Sequence, residues 1–275
     1  MPVSGPTVVR RQLGRRLQRL REVAGKTHQD VAAARIASRT KIWRIERGQS
    51  PVKVPDVWAL CRFYNVDAAE TDVLASLAVG TSDQGWWEEF ADVIPDWFKL
   101  YVGLEAAATR IHTFEELVVP GEFQTADYAR AIYQAARPGE DPETIERHVK
   151  LRVERQEALV ARMPAPQVVV VLGENVITRQ VGGPSVLAGQ IQHLRKIDER
   201  PNVEVRVLGF RTGAHAAMAS AFRIFDFADA DDPDVVYVEL LLGARYMEKP
   251  AEVDAYRRIF QMIYEQSTPI GDLPG

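Results

Sequence analysis

Cysteine is nearly absent from this chain. A single one, Cys61, stands among 275 residues, which excludes an internal disulfide framework and fits a reducing compartment. Long apolar runs are also lacking. The longest, VVVVL at residues 168–172, is strand-sized and falls far short of the roughly 18 residues needed to cross a bilayer. The N-terminal stretch MPVSGPTVVRRQLG has no apolar core of the kind that directs export. A cytoplasmic protein without a membrane segment is therefore expected. No His/Cys/Asp/Glu cluster has zinc-ligand spacing, and no glycine loop fits phosphates. Ser185 in GGPSVLAGQ, with His215 as its base, would lack the Gly-x-Ser-x-Gly elbow that exposes a nucleophile. Pro184-Ser185 reads better as the start of a helix. No metal, no cofactor and no enzymatic activity are expected.

What the chain has is a division of charge. Its net charge of −4 hides a basic start. Residues 1–50 hold 12 Lys and Arg against 3 Asp and Glu, or +9; the remainder holds 22 against 35, or −13. A basic head on an acidic body suits a protein that meets a polyanion with one end only.

The head reads as five short helices. Leu13, Leu17, Leu20 and Ala24 recur at spacings of three and four, an amphipathic stripe that Gly25 ends. The residues before Val9 read as disordered. Thr27 begins a second helix as N-cap, with Asp30 as the matching acid of a capping box. Ser38 caps a third, which Gly48 stops. Pro55 opens a fourth in PDVWALCRFYN, and AAETDVLASLAVG makes a fifth. These elements define an expected domain over residues 9–79. The stretch GTSDQGW, residues 80–86, reads as a linker.

A second domain is expected over residues 86–266. The block from Trp86 to Ile111 reads as two helices broken at Pro95. A helix capped at Thr125 follows, then a long charged one with Ile145, Val149, Val153 and Leu159 on an edge. PQVVVVLGE, NVEVRVLGF, SAFRIFDFA and DVVYVELLL read as strands, with a helix from Pro184 to Arg200 between the first two. A last helix, AEVDAYRRIFQMIYEQS, closes the pattern. The expected fold is thus a mainly α bundle followed by an α+β domain with a small β-sheet. The aromatic set Trp86, Trp87, Trp97, Phe98 and Tyr101 reads first as core; amphipathic aromatics also favour interfaces, so a ligand or partner surface is the rival reading.

The third helix carries two faces. Ile42 and Ile45 lie on one; Arg39, Thr40, Trp43 and Arg44 lie on the other. A helix, a short turn and a second helix inside a small bundle is the arrangement that seats the second helix in a DNA major groove. Arginine forks match the two acceptors of guanine, and apolar surface suits the thymine methyl. Lys41 and Arg47 are better placed for phosphates. The competing reading is a solvated basic face with no partner.

LQRLREVAGKTHQDVAAARIASRTKIWRIERG resembles the XRE-type, lambda-repressor-like helix-turn-helix. The later blocks GWWEEFADVIPDWFKLYVGLEAAATRIHTFEELVVPGEFQTADYARAI, PNVEVRVLGFRTGAH and DPDVVYVELLLGARYMEKPAEVDAYRRIF resemble the actinobacterial regulators that join this head to a C-terminal domain of unknown function. The resemblance implies a sequence-specific regulator of transcription, with base contacts from Arg39, Thr40, Trp43 and Arg44. It implies backbone contacts near Thr27, Ser38, Lys41 and Arg47, with His28 or Gln29 in the place of a phosphate-binding glutamine. It implies that Arg21 and Glu46 pair across the first and third helices. A double-stranded operator and a homodimer are the expected partners. The alternative is an antitoxin-like protein that holds a small partner and regulates its own synthesis. Arg35-Ile36 departs from the family's usual Leu-Gly turn. Neither the operator nor any small-molecule effector follows from these residues.

Overall fold

A computed structural model describes residues 5–48, 50–79, 101–102, 104–105, 107–161, 164–228 and 233–273. The chain divides into two compact units. One comprises residues 1–108 with 227–234 and 240–248; the other comprises 109–226 with 235–239 and 249–275.

The first unit is built on five helices: α1 (Gly5–Val23), α2 (His28–Ala33), α3 (Arg39–Glu46), α4 (Val54–Tyr64) and α5 (Ala68–Val79). Helix α1 begins at Gly5, so residues 5–8 are helical where disorder was expected. Pro6 falls in its first turn, where a missing N–H leaves no bond unmade. The stripe on α1 supplies Leu13 and Leu17 to a core shared with Val31, Ile42, Ile45, Leu60 and Leu77, all buried. Burial of each such side chain contributes about 1.5–3 kcal/mol. Cys61 lies inside this core, and burial pushes its thiol up to about 11, so it packs as a small apolar residue. Helix α4 stops where Asn65 turns left-handed at φ 58°, a conformation asparagine tolerates.

The second unit contains β1 (Arg110–Glu115), α6 (Ala126–Ala136), α7 (Pro142–Ala161), β2 (Gln167–Gly173), α8 (Glu174–Thr178), α9 (Pro184–Asp198), β3 (Val203–Leu208), β4 (Phe222–Asp226), α10 (Pro250–Gln266) and β7 (Thr268–Pro269). With β5 (Val235–Leu240) and β6 (Gly243–Met247) they form a seven-stranded sheet in the order β6-β5-β4-β1-β2-β3-β7. Strands β1, β2 and β3 run parallel, joined by helical crossovers; β4 is antiparallel to β1 and to β5. The apolar run of β2 is nearly all buried, as a strand covered on both faces requires.

Four of these strands match the stretches read from sequence. The sheet's central strand, β1, does not: Arg110 and Ile111 closed the block read as helices, and His112 to Glu115 were assigned to no element. Its six residues, RIHTFE, carry four polar side chains and no apolar run. Its apolar surroundings come from its neighbours, with Ile111 opposite Val168 and Phe225, and Thr113 opposite Val170. Strand β6 was likewise unread. Thr125 does cap α6, its hydroxyl accepting from Tyr128 N, and Gly183-Pro184 opens α9.

Candidate nucleic-acid interface

Helix α2 starts from a complete capping box. Thr27 Oγ1 accepts from Asp30 N at 3.2 Å, and Asp30 Oδ2 accepts from Thr27 N at 2.8 Å. The bond from Thr27 N, followed by that from its hydroxyl, holds the Asp30 carboxyl below its ordinary range. The turn that follows bends at Arg35, whose φ of 59° is left-handed. For a residue with a Cβ that costs roughly 1–2 kcal/mol. Ser38 then caps α3, its hydroxyl accepting from Lys41 N at 3.2 Å.

On α3 the two faces separate. Ile42 and Ile45 are buried. Arg39, Thr40, Lys41, Trp43, Arg44 and Arg47 are exposed on the other side. Arg47 stacks on the Trp43 ring, its Cζ 4.5 Å from the centroid. The stack limits the indole's rotamers. Trp43 keeps 40% of its surface exposed although it is large and apolar.

One buried carboxylate fixes the tilt of this helix. Arg21 Nε donates to Glu46 Oε1 at 2.7 Å and Arg21 Nη2 to Glu46 Oε2 at 3.0 Å, a two-pronged bond from α1 to α3. Arg21 Nη1 donates to Lys26 O at 2.8 Å. His28 Nε2 lies 2.8 Å from Glu46 Oε2, which brings α2 into the same node. Arg21 is 8% exposed and Glu46 5%. The hydrogen bond to Glu46 holds the guanidinium's pKa above its ordinary value, although burial opposes this.

A second device was missed in the sequence. A Cβ on Gly14 would stand 2.3 Å from Ile45 O and 2.8 Å from Glu46 O. Helix α1 therefore rests directly on the last carbonyls of α3. A glycine in mid-helix costs about 1 kcal/mol. That departure from helix propensity was the legible sign of a close approach.

The remaining candidates divide. Gln29 is exposed and makes no side-chain hydrogen bond among the described residues, so its amide is available to a phosphate. His28 is turned inward instead, its Nε2 committed to Glu46. Lys41 Nζ donates to Asp56 Oδ2 on α4 at 2.6 Å, so a phosphate contact there requires an exchange of partners. Thr27 and Ser38 spend their hydroxyls on the caps. Of the aromatic set, Trp86, Trp87, Trp97 and Phe98 lie outside the described residues. Tyr101 is buried with its hydroxyl on Glu105 Oε1 at 3.0 Å, a core position and not an exposed partner surface. Ser185 opens α9, and His215 Nε2 faces Glu116 Oε1 at 3.4 Å; no hydrogen bond joins the serine to the histidine. Among the described residues no group of His, Cys, Asp and Glu could hold a metal, and no helix is long and apolar enough to cross a membrane.

Residues 12–74 match the model of a helix-turn-helix domain, and residues 98–271 match that of a domain of unknown function, DUF5753. No curated protein and no solved structure matches the chain.

Proposed function

We propose that this chain, which belongs to the DUF5753 family and carries a helix-turn-helix head, is an XRE-type regulator of transcription that reads an operator with α3. One observation carries the reading: a helix locked on its buried side to Glu46, Ile42 and Ile45 exposes Arg39, Thr40, Trp43 and Arg44 on the other. A merely solvated basic face would not need a stacked, 40% exposed tryptophan at its centre. Arg39 and Arg44 take guanine edges, Trp43 and the Thr40 methyl take thymine, and Gln29, Arg47 and the caps of α2 and α3 face phosphates. The acidic body stays off the DNA. In this reading it pairs two chains, so that two heads meet adjacent half-sites, and it senses an effector. No catalytic step and no cofactor is assigned to the chain, and its place is the cytoplasm.

Selection of bound sequences from a random DNA pool tests this. A half-site repeated with two-fold symmetry is expected. Arg39→Ala and Arg44→Ala should each cost about 1–3 kcal/mol on that site and relax one base preference apiece. Equal losses on selected and random DNA would remove base reading from α3.

One feature favours an interaction protein, antitoxin-like, that holds a small partner. Leu241 and Leu242, at the turn between β5 and β6, are 98% and 96% exposed. Hairpin turns ordinarily carry Asn, Asp or Gly, and two bare leucines there serve no internal packing. Co-purification of a small native protein that Leu241→Asp/Leu242→Asp releases would support this reading. A chain that elutes alone in both forms would exclude it.

A further inference from the structure

The second unit holds a cavity of about 320 Å³ beneath the N-terminal ends of β2 and β3. Helix α7 supplies Val153, Gln156, Glu157 and Leu159 to its wall; β2 and the residues before it supply Ala165, Pro166 and Val168; α9 and the loop after it supply His193, Ile197, Arg200 and Asn202. The volume lies at the lower end of the range of small-molecule sites.

Two features give the cavity a chemistry. Its inner wall is apolar: Val153, Leu159, Val168 and Ile197 all face it. Its polar side carries one cation, Arg200, beside the imidazole of His193. Arg200 is exposed and makes no side-chain hydrogen bond or ion pair among the described residues, and half-buried His193 likewise has no hydrogen-bond partner there. Burial above all, then Arg200 and Lys196 nearby, lowers the affinity of His193 for a proton, so it meets an anion as a neutral N–H donor. The Glu122 carboxylate, also in the lining, does not compete for Arg200. It is bound by Arg223 Nη1 at 2.8 and 2.9 Å, and Arg155 Nη2 approaches to 3.5 Å. Glu157, exposed on α7 and without an ion-pair partner among the described residues, is the lining's other uncompensated charge and would repel a second anionic group.

We infer that this cavity binds a small amphipathic acid, with its apolar body against Val153, Leu159, Val168 and Ile197 and a single carboxylate on Arg200 and His193. As the effector site of the regulator, it rests on the function proposed above. As a binding site it stands alone. Arg200 gives a charge-assisted bond at the rim, and the apolar wall contributes the burial.

Titration calorimetry of the full chain with decanoate, and separately with decan-1-ol, tests the assignment. Decanoate should bind saturably, one per chain, and more tightly than the alcohol. Arg200→Glu changes an exposed side chain and should leave the melting temperature in place while weakening decanoate by about tenfold or more. It should leave the alcohol unaffected. Ala165→Trp, also at an exposed position, fills the mouth and should abolish both. The site is overturned if millimolar decanoate gives no saturable heat, if acid and alcohol bind alike, or if both variants bind decanoate as the parent does. Binding to the selected operator, followed in the same preparations, separates the two readings. Operator binding without decanoate binding removes the cavity site and keeps the regulator. Arg200-dependent decanoate binding without operator binding keeps the site and removes the regulator.

Discussion

The head and the body each bury a glutamate under an arginine, and the two arginines respond in opposite directions. In the head, the hydrogen bonds that Arg21 donates to Glu46 hold its pKa above the ordinary value. In the body, burial pushes Arg223 down to about 10, although Glu122 lies at 2.8 Å and the charges of Tyr237 and Glu239 oppose the shift. The head's pair is buried too, with His28 and the Lys26 carbonyl completing its bonds. There the hydrogen bond outweighs the cost of burial, and the attraction survives. The body's pair sits inside a mixed sheet, where desolvation offsets most of the attraction. Glu115 sharpens the contrast. Burial, then the nearby charges of Glu122 and Glu239, raise its pKa well above the ordinary carboxylate value. One arginine pair ties α3 to α1; the other is carried by the core at some expense.

Breaking the head's node should have the largest effect. Glu46→Ala strands a buried guanidinium and should destabilise the head by about 3–5 kcal/mol. DNA affinity should fall with it, although Glu46 faces no phosphate. Arg21→Ala/Glu46→Ala should lose less than the sum of the two singles, because neither charge is then left alone. Urea unfolding of the full chain, followed at residues of α1 and α3 by hydrogen exchange, reads this; additive losses would mean that the pair is not coupled.

The body's contrast is read in pH. A carboxyl whose folded pKa is raised contributes stability that is fully present below its unfolded pKa, near 4.3, and lost as pH rises through the folded value. The body should therefore be more stable in mild acid than at neutral pH, and Glu115→Gln should stabilise it at neutral pH and flatten that dependence. A body whose melting temperature does not change between pH 5 and 8 in both proteins would show that Glu115 bears no such cost.

Gly14→Ala should place a methyl against the carbonyls of α3 and cost about 1–3 kcal/mol, despite the better helix propensity of alanine. Operator binding should weaken with stability, because α3 must shift to make room. A stabilised variant with full affinity would place α1 farther from α3 than the structure does.

The smallest effects compare one unsatisfied polar side chain in each unit. Among the described residues, Gln12 in α1 is buried with neither amide atom bonded, and Thr113 in β1 is buried with its hydroxyl unbonded. Gln12→Leu and Thr113→Val should each raise stability by about 1 kcal/mol. A loss at either position, measured by thermal unfolding, would indicate a hydrogen bond there, through water for example.

What the sequence made legible was local. Thr27 with Asp30, Ser38 with its helix, and Pro184 after two glycines announce themselves within four residues, because a cap is satisfied by its own turn. The Arg21–Glu46 pair is 25 residues apart and followed only from a family resemblance and the apolar faces beside it. The bond of His28 to Glu46 was not legible, since nothing in HQDVAA shows that a carboxylate from α3 waits behind it. Gly14 needed the approach of another helix to explain it. Strand β1 was hidden most thoroughly. A strand flanked by apolar neighbours on both edges need not be apolar itself, and RIHTFE lacks the run that marks β2.

That polarity has a consequence in time. The head's bonds close within a few tens of residues, so it is complete soon after it leaves the ribosome. The junction of β1 with β4 spans 117 residues, from Thr109 to Asp226. At about 5–20 residues per second, one edge of β1 stays open for on the order of ten seconds during synthesis. An open apolar strand of that age would recruit its like from neighbouring chains. Arg110, His112 and Glu115 make this edge a poor template for such pairing, as gatekeeper residues do. The composition that conceals the strand from a reader also protects it from other nascent chains.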